Sequence, residues 1–531
     1  MAGPLCQRRV VKDRRNNPFQ AAHLSQIKDP ALAALPKPLQ KPLIYPRKVQ
    51  ALVMVLAAVI GSLTLVSSDR LYTNDEMRFD AKLYAAMAKD FVFLASHHEI
   101  DQYHTQRVLP SALVYFGFRL GHITGSDRNV IIAFQILDAV LVFGIALVWT
   151  KLSLKARLSR NAYLLGAIAL LVNFAVLKHR TYDPVLTDTA AYFLSCLMLY
   201  GYLARKPFVL GCSALAGAFT WPTLFAEGFL LWLFPFTKTP ADLSAAPNTP
   251  SRLQRTVAIA AALLYSATAV YLLKIHYALP LPTYLPAAPV SVILGAGYTF
   301  LGVVYLFPRK IDLRLIGRPF LARLSAGCCC YLLISEIRKP MAIPGALSYG
   351  WVHYLYVTVI SSITYPLVFL VAHVVYFGPI CYLVVFNWRR VASRSHCYGG
   401  LTACLLLCLA NALNAESRGI LNFYPILVLV TLLAIDGFDL TNRSLAIFWL
   451  LSLVMSKVWL TIGPLTLRTN RFLGDESEMA QLLLDNQRFF MNNGPAMGRP
   501  EYVLQAGVAL TVGIVLVALR FLTTARRETI Q

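Results

Sequence analysis

Val49–Val66 reads VQALVMVLAAVIGSLTLV, 18 residues without a formal charge. About 20 apolar residues cross the hydrocarbon of a bilayer, so this run has the length of one span. Similar runs follow along the whole chain: Val130–Thr150, Asn161–Leu177, Thr189–Leu203, Phe208–Phe236, Thr256–Leu273, Val290–Leu306, Ala326–Ser335, Ile360–Phe386, Leu401–Leu413, Tyr424–Ile435, Leu445–Ile462 and Val503–Leu522. Phe208–Phe236 is too long for one plain span and is interrupted at Trp221-Pro222. Proline removes a helix hydrogen bond, so the run predicts two shorter helices. Span length then gives roughly 12 to 14 membrane helices. The expected fold is all-α, a polytopic transmembrane helical bundle with interfacial helices on its outer face.

Composition agrees. The chain has 531 residues, 57% of them hydrophobic and 14% charged, with a mean hydropathy of +0.57. Soluble domains carry about 25% charged residues, so a water-soluble enzyme is excluded. The net charge of +23 would suit a nucleic-acid partner if it were spread over one face, but it is segregated. With the N-terminus inside, 31 of the 49 lysines and arginines fall in inner segments, and the acidic residues collect outside. Lysine and arginine set membrane orientation. The excess charge is a topology signal, and no nucleic acid is implied. The expected organisation is a basic, disordered cytoplasmic arm (1–48), a membrane domain (49–522) with outer loops at 67–129 and 463–502, and a cytoplasmic tail (523–531). This describes a multi-pass plasma (inner) membrane protein with both termini cytoplasmic. None of the ten cysteines lies in an outer segment, and no zinc-type CxxC spacing occurs, so neither a disulfide framework nor a metal centre is expected.

Ionisable groups kept beside a membrane against their cost mark function, and four clusters share the outer side. The first follows the first span and holds Asp75, Glu76, Asp80 and Tyr84, with Asp80 placed to cap a helix. A solvated loop ahead of a capped helix would explain most of it. The second, Tyr103-His104-Thr105-Gln106-Arg107-Val108-Leu109-Pro110, sets Arg107 just before a proline-started helix. Arg107 there is either a snorkelling side chain or a phosphate ligand. The third reads as a short outer loop with Lys178, Arg180, Asp183 and Asp188, the last opening the next span. The fourth is Asn411–Arg418, where Glu416 and Arg418 could simply pair with each other. Asp138 and Glu227 are the charges expected inside the membrane. His97, His98, His104 and His179 match no metal spacing and are read as solvated.

Asp80-x-x-x-Tyr84-x-x-Met87-Ala88 and Arg107-Val108-Leu109-Pro110 resemble motifs of the GT-C superfamily of membrane glycosyltransferases. Tyr182-Asp183-Pro184-Val185-Leu186-Thr187-Asp188 is similar to that family's second acidic loop, and Glu416-Ser417-Arg418 ahead of Pro425 to its late arginine. The sequence departs from the pattern at Ala218–Pro222, where many members carry a charged pair. The resemblance implies a GT-C-like fold and an inverting transfer of a sugar from a polyprenyl-phosphate donor to a hydroxyl of a lipid, glycan or protein on the extracytoplasmic face. It implies Asp80 as general base, with Asp75 or Glu76 as substitutes. Tyr84, Arg107, Lys178, Arg180 and Arg418 would serve the donor phosphate, with Asp183, Asp188 and Glu416 orienting substrate. No cofactor is fixed by it, and a divalent cation is admitted. Partial burial, or Asp75 and Glu76 nearby, would raise the Asp80 pKa from about 3.9. Two rival classes stand beside it: a transporter or lipid flippase, which places polar groups at mid-membrane in broken helices, and a non-enzymatic membrane assembly protein.

Overall fold

The computed structural model describes residues 45–66, 80–234, 249–276, 287–308, 317–345, 351–436, 438, 440–460, 497 and 499–528. Asp75 and Glu76, the arm up to residue 44 and most of the 463–502 loop lie outside them. All regular structure among the described residues is helical. The one extended contact is an isolated bridge between Ile100 and Ala342.

Helix α1 (Arg47–Val66) covers the first apolar run. Val53, Ala57 and Ile60 are buried, while Leu52, Val55 and Val59 point outward. Two shorter helices follow, α2 (Asp80–Ser96) and α3 (Leu109–Leu120), the latter with Pro110 in its first turn. Helix α4 (Asp127–Ala156) starts at Ser126, whose hydroxyl accepts the Asn129 N–H. It passes α1 so closely that a Cβ on Gly61 would lie 3.2 Å from the Ala139 carbonyl oxygen.

Helix α5 (Arg160–Leu171) ends inside its apolar run because of Asn173. The Asn173 amide donates back to the Ala169 carbonyl at 2.8 Å, and its Oδ1 accepts the Val176 N–H at 3.0 Å. One side chain thus closes one helix and opens the next. The chain continues through a π-helical turn, Ala175–His179, into α6 (Arg180–Tyr182), bent by 44° from α5. Helix α7 (Asp188–Leu203) follows. The expected break at Trp221-Pro222 separates α8 (Pro207–Ala218) from α9 (Leu224–Leu233).

The second half contains α10 (Arg252–His276), α11 (Ala288–Leu306), α12 (Arg318–Arg338), α13 (Trp351–Ile363) and α14 (Val368–Phe377). The last two are bent by 94°. Pro366 disfavours helical backbone before it, and Leu367 takes a left-handed φ of 51°. Then come α15 (Ile380–Phe386), α16 (Trp388–Ser395), α17 (Gly399–Asn411), a 3-10 helix (Ser417–Phe423), α18 (Tyr424–Ile435), α19 (Asn442–Ser456) and α20 (Arg499–Glu528).

Seven described helices are long and apolar enough to cross a bilayer, or nine if each bent pair is one span. This is fewer than the 12 to 14 expected. Three of the apolar runs, Phe208–Phe236, Leu401–Leu413 and Leu445–Ile462, fold as helices of 10–17 residues, and at about 1.5 Å per residue these fall short of about 30 Å of hydrocarbon. The spans divide by burial. In the apolar stretch of Ser417–Ile435 72% of the residues are buried, whereas in that of Arg318–Met341 only 11% are, and Leu332 and Leu333 point outward. An apolar helix with almost no protein around it needs lipid. The chain is a multi-pass membrane protein.

Candidate functional site

Asp80 heads α2, and its carboxylate meets two partners from the following loop. Oδ1 lies 3.4 Å from His104 Nε2 and Oδ2 lies 3.8 Å from Arg107 Nη1. His104 belongs to a 3-10 turn, His104–Gln106, and the Arg107 N–H closes that turn on the His104 carbonyl at 2.8 Å. Arg107 thereby turns inward. It is 5% exposed, its Nη1 donates to the Tyr84 hydroxyl at 3.4 Å, and its guanidinium sits 4.3 Å from the Tyr103 ring and 3.9 Å from the Trp221 ring. Its buried Nε has no hydrogen-bond partner among the described residues. Arg107 does not snorkel.

The other half arrives from the far end of the sequence. Arg418, in the 3-10 helix before α18, grips Asp188 at the start of α7 with two parallel bonds, Nε to Oδ1 at 2.8 Å and Nη2 to Oδ2 at 3.0 Å. This fork-on-carboxylate geometry is the strongest form of the pair. Glu416 is a lesser partner at 3.9 Å, so the expected Glu416–Arg418 pair yields to one across 230 residues of sequence. The Arg418 guanidinium also lies 6.0 Å from the Trp221 ring. Asp80, Tyr84, Arg107, Asp188, Glu416 and Arg418 therefore gather around one indole.

The electrostatics follow from the gathering. Burial pushes the Asp80 carboxyl up, but the His104 imidazole beside it and the Arg418 and Arg107 charges outweigh it and hold it down at about 2. The expected rise in its pKa is reversed, because cations from distant segments surround it. Asp80 is ionised throughout the neutral range. Burial lowers the His104 pKa, yet the paired Asp101 and Asp80 carboxylates raise it overall.

The Lys178–Asp188 segment is not an exposed outer loop. Lys178, His179 and Arg180 lie in the helical turns after the Asn173 break and are all buried. Lys178 Nζ donates to the Leu460 carbonyl. Arg180 donates from Nε to the Val176 carbonyl at 3.1 Å and from Nη2 to the Ile60 carbonyl at 2.6 Å. His179 meets the Tyr376 hydroxyl at 3.0 Å. His104 and His179 are thus not solvated, whereas His97 and His98 are exposed. Arg180 and Asp183 line a small cavity with Asp138 and Asp188, the carboxylate that Arg418 grips. Among the described residues no group of three or more His, Cys, Asp or Glu is placed to hold a metal ion.

Three positions carry structural roles that the sequence reading did not give them. Trp221 stood out only as a helix break, yet both guanidiniums meet there. Glu227, fully buried, accepts from Ser195 Oγ at 2.7 Å and from Asn422 Nδ2 at 2.9 Å, and Asn422 Oδ1 accepts from Thr223 Oγ1 at 3.0 Å. These bonds tie together the elements that carry Asp188, Trp221 and Arg418. His373 bridges the Ala412 carbonyl (2.8 Å) and Ser417 Oγ (3.0 Å), pinning the residue before Arg418. A buried carboxylate or histidine in an apolar run is the available signal, but not its partner. The chain matches no protein-family model, no curated protein and no solved structure.

Proposed function

We propose that this protein is an inverting membrane glycosyltransferase of GT-C-like architecture, moving a sugar from a polyprenyl-phosphate donor to an acceptor hydroxyl. What carries the reading is the convergence of Asp80, Arg107, Asp188 and Arg418, from four separate segments, around Trp221. A transfer of this kind needs an ionised carboxylate beside the attacking hydroxyl and cations beside the departing phosphate. Asp80 supplies the first. Arg107, whose Nε has no hydrogen-bond partner among the described residues, and Arg418, whose Nη1 lies 3.9 Å from Glu416, supply the second. The acceptor oxygen attacks the anomeric carbon, its proton passes to Asp80, and the bond to phosphate breaks with its electron pair on the phosphate oxygen.

Asp80→Asn tests this directly. Transfer measured in membranes with a polyprenyl-phosphate sugar should fall by about 10²–10⁴-fold, with insertion and donor binding unchanged. Retained turnover there removes Asp80 as the base. The site faces the extracytoplasmic side of the inner membrane, with both termini cytoplasmic. In a background lacking the exposed Cys212 and Cys328–Cys330, an impermeant thiol reagent should label a cysteine at Gly125 in sealed cells and spare one at Lys155. The reverse pattern inverts the topology.

A second reading, a lipid transporter, draws on the two bent helix pairs and on the buried Asp138 and Arg180 beside one of them. It predicts that Asp138→Asn stops lipid movement while Asp80→Asn does not.

A further inference from the structure

Asp80 does not meet the arginines alone. His104 stands between it and a third carboxylate. Asp101 contacts His104 Nδ1 through Oδ2 and accepts the His104 backbone N–H on Oδ1 at 3.0 Å. With Nδ1 committed to Asp101, the opposite nitrogen is aimed at Asp80 Oδ1, 3.4 Å away. That contact is an ion pair without an aligned hydrogen bond, and Nε2 is buried. The ring is wedged edge-on against Tyr84 and Tyr103, with centroids 5.3 and 5.0 Å away. The groups facing the imidazole are therefore Asp80 and Tyr84 from α2 and Asp101 and Tyr103 from its own loop, with Arg107 on the other oxygen of Asp80.

We propose that His104, fixed by Asp101, is a positioning residue: as an imidazolium it holds the Asp80 carboxylate ionised and oriented toward the transferring sugar. An imidazole with a carboxylate on one nitrogen is locked in orientation, as in the serine-hydrolase triad. Here, however, the second nitrogen meets a second carboxylate in place of a nucleophile. Two anions favour the charged ring. A charged ring cannot take a proton from the acceptor, so the proton goes to Asp80 and His104 keeps its own. The inference rests on Asp80 as base, but the clamp itself is a property of three side chains and can be measured without any transfer.

The test uses the full chain in nanodiscs with 13C-labelled histidine, the His104 signal being identified by its loss in His104→Gln. In the wild type that signal should titrate above the ordinary value of about 6.5. It should move to lower pH in Asp101→Asn, where the carboxamide can still accept the backbone N–H. Transfer should decline as pH rises through the His104 titration. That decline should move to lower pH in Asp101→Asn and vanish in His104→Gln, whose rate is lower throughout by on the order of 10–100-fold. A His104 signal that titrates at the ordinary value and ignores Asp101→Asn overturns the clamp. So does transfer that rises as His104 loses its proton, which would make His104 the base. If the wild type transfers no sugar, the proposed function fails while the titration still decides the clamp.

Discussion

Four cations that look alike in the sequence fall into two unlike pairs in the fold. Arg107 and Arg418 reach the Trp221 ring at 3.9 and 6.0 Å, each facing a carboxylate and each keeping a nitrogen for something else. Lys178 and Arg180 instead bond main-chain carbonyls, of Leu460 for one and of Val176 and Ile60 for the other, although Arg180 also keeps a buried Nη1 without a hydrogen-bond partner among the described residues, in the cavity it shares with Asp138. Of these acceptors only Val176 belongs to the broken α5–α6 segment; Ile60 lies inside α1 and Leu460 follows α19, so the two cations tie the broken segment to its neighbours. Among the described residues neither the Arg107 nor the Arg418 guanidinium bonds a main-chain carbonyl, and each faces a carboxylate beside Trp221.

The largest effect should separate the pairs. If the proposed transfer holds, Arg418→Ala removes a donor to the leaving phosphate, and transfer should fall by about 10²–10³-fold. Arg418→Lys recovers little of it, because the ammonium cannot hold Asp188 with a planar fork. Arg180→Ala should lower thermal stability and leave the donor KM as in the wild type. Donor saturation damaged equally by both alanines would erase the distinction and bring Arg180 into the site.

Next comes Asp188→Ala. A carboxylate removed from a fully buried ion pair costs about 3–5 kcal/mol. The Arg418 side chain is 22% exposed, so water shares the stranded charge and about 2–3 kcal/mol is expected. Thermal unfolding in nanodiscs reads it, and Asp188→Asn, which still accepts from one nitrogen, should cost less. An unchanged melting temperature for Asp188→Ala would mean that Arg418 is held by something other than this pair.

How far this was legible in the sequence follows from the same residues. Apolar periodicity carried α1, α4 and the split between α8 and α9, since Trp221-Pro222 is a local signal with a local cause. The Asn173 break is equally local, but an asparagine ends a helix only when its side chain turns back on the main chain, and the run alone does not reveal that. Of the expected site residues, Asp80, Tyr84, Arg107, Asp188, Glu416 and Arg418 converge. Arg180 and Asp183 line the adjoining cavity, Lys178 points away to Leu460, and Asp75 and Glu76 lie outside the described residues. What the sequence concealed were partners at long range. Nothing near Arg418 announces Asp188, and nothing near Asp80 announces that distant cations will lower its pKa where its acidic neighbours would raise it.

Trp221→Leu should act on both site arginines at once and on neither of the other two cations. Cation–π contacts are worth about 0.5–2 kcal/mol, so a stability loss of that size with a raised donor KM is expected. A variant with wild-type donor saturation would reduce Trp221 to packing.

The smallest effect belongs to Glu227→Gln, and it sharpens the comparison by asking whether a buried carboxylate beneath the site is structure or chemistry. Glu227 accepts from Ser195 and from Asn422, and Ser195 also reaches the Asn422 carbonyl. A glutamine keeps the network satisfied if its oxygen takes the Asn422 amide and its nitrogen donates to Ser195, whose single hydrogen then turns from residue 227 to the Asn422 carbonyl. Its cost should lie below about 1 kcal/mol, the net worth of one hydrogen bond. Glu227→Ala, by contrast, strands Ser195 and the Asn422 amide and should cost about 1–3 kcal/mol, with transfer falling as the Arg418 and Trp221 segments loosen. If the network is only a brace, activity follows stability across the two variants. If Glu227→Gln melts like the wild type yet abolishes function, the carboxylate is needed for its charge or its proton. A titrating acid buried among apolar helices belongs to a transport path, and that outcome would favour the transporter over the transferase.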